Sequence, residues 1–169
     1  MQTRIRSLGT DERPEGLRAL VTDFLAGELE QLHAVSGLRP DLQALVAATF
    51  DNIGAYLPPS GQVHVAQDAG GALMGCVFLK MIRADTAEIK RLYVRPAARG
   101  TGLGRGLMDS ILTSARDLGA VRVVLDTGVY DEAAHALYDT LGFRRTGPYP
   151  ESENGADLQP YLLYFQLDL

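Results

Sequence analysis

The sequence is short of several things, and each shortage narrows what the chain can do. It has one cysteine, Cys76, among 169 residues, so an internal disulfide is excluded and a cysteine-based metal site lacks a second ligand. It has no basic surplus. Sixteen lysines and arginines stand against 21 aspartates and glutamates, a net charge of -5, which argues against a nucleic-acid binder. No apolar run approaches the roughly 20 residues of a membrane span. The opening stretch MQTRIRSLGTDERPEG has no apolar core of the kind a signal peptide carries. His33 and His64 show no metal-ligand spacing, so no metal is expected. With no repeat or low-complexity linker either, the expectation is a cytoplasmic protein with one domain over residues 1–169.

What the chain does have is an alternation of strand and helix patterns. TRIRSL reads as a first strand. From Pro14 to about His33, Leu17, Leu20, Val21, Phe24, Leu25 and Leu32 recur at helical spacing. A second helix after Pro40 carries Leu42, Leu45, Val46, Thr49, Phe50 and Ile53 on one face. QVHVAQ, ALMGCVFLKMI and TAEIKRLYV then read as an antiparallel meander. The clearest helix runs from Leu103 to Leu118, with Gly119 as its C-terminal stop. VRVVLDT is a buried strand, Asp131 to Leu141 a short helix, and FRRTG and PYLLYFQLDL close the chain as strands. The class is α/β.

Between the meander and the clearest helix lies VRPAARGTGLGRGLM, with glycines at 100, 102, 104 and 106. A dinucleotide fingerprint from Gly100 needs glycine where Arg105 stands, and from Gly102 where Leu107 stands; a P-loop needs a Gly-Lys-Ser/Thr ending that is absent. An anion is still expected. A helix opens here with unpaired N–H groups and partial positive charge, and Arg99 and Arg105 crowd that end where an isolated helix favours acids. A phosphate would supply the missing charge. The plain alternative is a solvated turn with incidental arginines.

Arg99-Gly100-Thr101-Gly102-Leu103-Gly104 resembles the acetyl-CoA signature of the GNAT superfamily of N-acetyltransferases, Arg/Gln-x-x-Gly-x-Gly/Ala. AEIKRLYV before it, VRVVLDT after it and EAAHALYDTLGF beyond extend the likeness over essentially the whole chain. The resemblance implies a mixed, mostly antiparallel twisted sheet with one splayed parallel strand pair and about four flanking helices. It also implies acetyl-CoA as co-substrate, no metal, and an N-acetyltransferase that moves an acetyl group to a small-molecule or peptide amine by direct attack. Homodimers are common among relatives.

Positions follow from the same likeness. Main-chain groups of Arg99, Gly100, Thr101, Gly102, Leu103 and Gly104, with Arg105 nearby, would hold the pyrophosphate, and Leu92, Tyr93 and Val94 would meet the pantetheine. The Val94 N–H would serve as oxyanion donor. Tyr138 matches the family's frequent general acid, and its other reading is a core tyrosine on the apolar stripe. Glu88 is the candidate base, and its other reading is a solvated strand residue paired with Lys90 or Arg91. Strand alternation sets Glu88, Lys90, Leu92 and Val94 on one face, with Ile89, Arg91 and Tyr93 on the other.

Lesser expectations are Asp131 as a helix N-cap, His135 on the surface, Cys76 in the core and Asp126 as a strand-end carboxylate. An acceptor wall is sought among Glu28, Glu30, Asp51, Glu151, Glu153 and Asp157, with Tyr56, Tyr130, Tyr149 and Tyr161 as its apolar part. Two functions stand at this point: the N-acetyltransferase, and a non-catalytic acyl-CoA-binding sensor on the same fold. A nucleotide-binding domain is the third and weakest.

Overall fold

A computed structural model describes residues 3–169. The expected domain over residues 1–169 includes two positions, 1 and 2, that lie outside the described residues. Seven strands form one sheet: β1 (Thr3–Ser7), β2 (Gly61–Asp68), β3 (Leu73–Met81), β4 (Thr86–Val94), β5 (Arg122–Gly128), β6 (Arg144–Thr146) and β7 (Leu162–Asp168), in the order β1-β2-β3-β4-β5-β7-β6. Every neighbouring pair is antiparallel except β4 with β5. Among the described residues four α-helices flank it: α1 (Leu17–Ser36), α2 (Leu42–Asp51), α3 (Leu103–Asp117) and α4 (Glu132–Thr140).

Both faces of the sheet are covered, and the period of two along each strand divides the core. On β3, Cys76 and Phe78 pack toward α1 and α2, while Val77 and Leu79 join Leu107, Met108 and Ile111 of α3. A strand with both faces buried reads as a continuous apolar run, as VFL does here. The helices end where glycine permits it. Gly37 (φ 75°), Gly119 (φ 89°) and Gly142 (φ 85°) each take the left-handed conformation at or just beyond a helix C-terminus. Asp41 and Asp131 cap α2 and α4, accepting from the N–H groups of Ala44 and Ala134.

His64 lies buried between β2 and α3, its ring nitrogens 2.6 and 2.9 Å from Ser110 Oγ and Ser114 Oγ. Burial lowers its pKa and keeps the ring neutral. Cys76 is enclosed in the core, as its apolar strand predicts, and burial pushes its thiol up to about 12. His135 corrects the expectation of a surface histidine: it is buried, 2.9 Å from the Gly128 carbonyl and packed on Phe165.

Candidate active site

The site begins where the sheet comes apart. β4 and β5 pair at only three positions, Thr86 with Arg122, Ala87 with Val123 and Glu88 with Val124. Beyond them the strands diverge, and β4 carries a bulge. Its pairing with β3 steps from Cys76–Tyr93 to Phe78–Lys90, so the extra residue falls at Arg91–Leu92. Arg91 has φ 57°, a left-handed conformation costing a non-glycine residue about 1–2 kcal/mol.

The bulge overturns the strict alternation expected of this strand. Ala87 and Ile89 belong to the α3 core, and so do Leu92 and Val94 beyond the bulge, while Tyr93 packs with α1. Leu92 and Val94 therefore face opposite to Glu88 and Lys90. Arg91 turns to the α2 side as well, donating from Nη2 to Thr49 Oγ1 at 3.1 Å. Lys90 and Arg91, though adjacent, share a face.

Two connected cavities occupy the gap. The larger, about 400 Å³, runs along the α3 and α4 edge and is lined by Leu92, Tyr93, Val94, Arg99, Gly104 and Leu137 among others. The Arg95 N–H donates to the Met74 carbonyl at 2.8 Å, which makes Val94 and Gly75 a non-hydrogen-bonded pair. The main chain of Val94 thus points away from β3 and into the cleft. Arg99 Nε takes its carbonyl at 3.0 Å, leaving the N–H directed at the gap. At the far end α3 starts on Gly102 (φ 82°), with Gly100 at φ 73°, no side-chain cap and no acid in the first turn. Neither glycine has an atom within 4 Å of where a Cβ would stand. Their role is the backbone conformation that exposes the first N–H groups of α3.

Other residues of this loop divide. Thr101 closes the turn by donating to the Ala98 carbonyl at 2.7 Å. Leu103 sends its side chain into the core and leaves only its N–H at the helix start. Arg105 is not brought to the groove: it is half exposed and reaches instead to Asp109 at 3.4 Å and Thr140 at 3.5 Å. An i,i+4 acid within reach is the physical reason.

The smaller cavity, about 150 Å³, passes between the strands toward α1 and shares Phe24, Glu28, Leu92, Tyr130 and Asp131 with the groove. Tyr138 lines it, only 5% exposed, its ring on Phe143 and Phe165 and its hydroxyl without a hydrogen-bond partner among the described residues. Burial, then the charge of Asp131, raises its pKa well above the usual phenol range, so it stays protonated. Glu28 of α1 lines both cavities. Burial, then Asp131, pushes its carboxyl up to about 7, against the opposing hydrogen bond from Tyr130 Oη at 3.3 Å. Tyr130 folds back over Gly128, where a Cβ would collide with its ring.

Glu88 lies elsewhere. It is fully buried and lines neither cavity. Oε1 accepts from Tyr149 Oη at 2.6 Å and meets Lys90 Nζ at 3.2 Å; Oε2 stands 3.4 Å from Lys80 Nζ. Lys90 also holds Asp126 at 2.9 Å, where Asn154 donates too and the Tyr149 hydroxyl oxygen stands 3.1 Å away. Burial acts to lower the Lys90 pKa, but Asp126 and Glu88 outweigh it and the ammonium stays charged. The expected pairing of Glu88 with Lys90 holds, but the residue is neither solvated nor at the wall of either cavity, because the lysines and Tyr149 enclose it. Of the residues sought for an acceptor wall, Glu28, Tyr130 and, in the groove, Glu30 line the cavities; Glu151 and Glu153 pair with Arg83 and Lys80.

A splayed parallel pair beside a glycine-opened helix, with a buried tyrosine between, defines an acyl-CoA-dependent acyltransferase fold. The chain belongs to the acetyltransferase (GNAT) family, whose model matches residues 27–143. It is 36% identical over 115 residues to an uncharacterized N-acetyltransferase of Schizosaccharomyces pombe, covering 68% of each chain. It is 40% identical over 80 residues to an IAA acetyltransferase of Azospirillum brasilense, covering 47% of this chain and 52% of that one. Beyond the yeast protein, the chain spans about half the length, or less, of the curated relatives it matches. The fold is also that of a GNAT acetyltransferase from Staphylococcus aureus (TM-score 0.74, 18% identical, 98% of this chain and 99% of that one). A Salmonella typhimurium protein solved with acetyl-CoA superimposes at TM-score 0.66, 22% identical, over 100% of this chain and 95% of that one.

Proposed function

We propose that the chain transfers an acetyl group from acetyl-CoA to a primary amine by direct attack, with Tyr138 as general acid and Glu28 as general base. The observation that carries this is the pairing on one cavity wall of a neutral, unpartnered tyrosine hydroxyl with a carboxyl pushed up to about 7. Such a carboxyl is half ionised at neutral pH and suited to taking a proton from an ammonium.

The balance is simple. Glu28 removes one proton from the acceptor ammonium, and the free amine attacks the thioester carbonyl, whose oxygen the Val94 N–H stabilises. The C–N bond forms, the C–S bond breaks, and Tyr138 protonates the departing thiolate. The second nitrogen proton returns to the tyrosinate, and one proton leaves with the products. The main chain of Leu92, Tyr93 and Val94 is suited to pantetheine, and the N–H groups from Gly100 to Gly104, with Arg99, to pyrophosphate. Glu88 touches no reacting atom in this scheme; it orients Lys90 and Tyr149. No metal is required.

Among the described residues no helix is long and apolar enough to cross a membrane. An acidic chain with a single buried cysteine fits a cytoplasmic enzyme of small amines rather than a partner of nucleic acid. Both cavities are built by one chain, so a homodimer is not needed to complete them. The test is Tyr138→Phe. It should lower kcat by about 10²- to 10⁴-fold while acetyl-CoA affinity stays the same. An unchanged kcat removes the acid role and favours protonation of the thiolate by water.

A further inference from the structure

The cations around the smaller cavity are not alike. Lys90 is neutralised by Asp126 at 2.9 Å and Glu88 at 3.2 Å. Arg91, its neighbour on the same wall, makes no ion pair among the described residues. Thr49 Oγ1 is the one side chain that accepts from it, at Nη2, and its Nε is buried with no partner. A guanidinium has five N–H donors in a fork that fits a carboxylate, so one hydroxyl leaves it largely unanswered. Buried donors without partners are costly and uncommon in folded proteins.

The backbone points the same way. Strict alternation would send Arg91 toward the α3 core with Ala87 and Ile89. The bulge, with Arg91 itself at φ 57°, turns it to the α2 side instead. Bulges commonly re-aim a side chain beside an active site, and backbone strain of this kind is kept where function uses it. Arg91 lines the smaller cavity and not the larger groove, which separates it from the pyrophosphate end marked by Arg99. The same small cavity presents Glu28 and Asp131 for an ammonium, and an apolar wall of Leu25, Leu29, Leu32 and Leu162.

We infer that the acceptor is an amine carrying its own carboxylate: an α-amino acid with an apolar side chain, its carboxylate held by Arg91 and its ammonium presented to Glu28. This rests on the acetyltransferase reading above. A cavity of about 150 Å³ suits a molecule of this size. Arg91 is a specificity-determining residue in this scheme, and the carboxylate it holds fixes which end of the acceptor meets the thioester.

The experiment compares acetylation of L-leucine and L-methionine with that of their carboxamides, by release of coenzyme A thiol, alongside a thermal shift with acetyl-CoA. The free acids should exceed the amides in kcat/KM by about 10- to 150-fold, the range for loss of a hydrogen bond to a charged group. In Arg91→Asn, whose side chain tolerates the left-handed backbone, that ratio should fall toward one. Arg91→Lys, which keeps the charge without the fork, should give an intermediate ratio and guards against a folding defect. Amides equal to or better than acids in the wild type, or a ratio unmoved in both variants, overturn the inference and leave acetyl transfer standing. No turnover of either kind while acetyl-CoA still shifts the melting point also overturns it and spares the donor assignment. No shift with acetyl-CoA removes both.

Discussion

The two ends of the cleft are made of different material. At the groove, which we propose for the donor, main chain is prominent: the Val94 N–H is turned off β3, and Gly104 belongs to a helix whose start exposes N–H groups through Gly100 and Gly102, at φ 73° and 82°. At the acceptor end the wall is side chain, with Glu28, Arg91, Asp126, Tyr130 and Tyr138 arriving from α1, β4, β5, the loop after it and α4. A backbone site binds a constant ligand and depends on local conformation alone. A side-chain site takes its ionisation from burial and from neighbours far away in sequence, so it can vary without disturbing the donor end.

That difference can be tested by damaging one end at a time. The largest effect on stability is expected for Lys90→Met, which removes the buried cation shared by the Glu88 and Asp126 carboxylates. Breaking a buried pair from one side costs about 3–5 kcal/mol, or roughly 10 °C in melting temperature for a chain of this length. Calorimetry on the folded fraction should nonetheless find acetyl-CoA affinity unchanged. Gly102→Val should do the reverse. It costs about 1–2 kcal/mol for the left-handed backbone, and a distorted helix start should weaken acetyl-CoA binding by roughly 10-fold or more, seen in a titration. Least of all, Arg105→Ala should move stability by under about 0.5 kcal/mol, since an exposed i,i+4 pair is worth little. It should also leave acetyl-CoA affinity nearly as it was. A large loss of affinity in Arg105→Ala would mean that side-chain charge rather than main chain holds the pyrophosphate.

The same contrast explains what could be read in the sequence. The glycine-opened start of α3 was legible because Arg99 to Gly104 is contiguous and its glycines carry backbone meaning by themselves. The helix stripes and the antiparallel meander were legible for a similar reason, since periodicity is local. Tyr138 was legible as a position in a segment: its core reading holds, and it also lines the smaller cavity, where we propose its acid role. The bulge at Arg91 was not legible. Nothing in EIKRLYV marks a left-handed arginine, and without the bulge the facing of Leu92 and Val94 inverts. Glu88 was misplaced because its enclosure depends on Lys80 and Tyr149, the latter 61 positions away in the loop before the last strand. Glu28 stood among several acids with nothing to distinguish it, since its raised pKa is a product of packing.

The central claim is that burial tunes the acceptor end for acid–base work at neutral pH, and the pH dependence of kcat/KM tests it most directly. A carboxyl raised from the ordinary range to about 7 is protonated and idle below that pH and active as a base above it. Wild-type activity should therefore rise to a break at about 7 from Glu28 and level off well below the acceptor amine's own pKa. In Glu28→Gln that break should vanish, and the residual activity should instead climb until the amine's own pKa. A break near 7 that persists in Glu28→Gln would contradict the account and assign the base to another group.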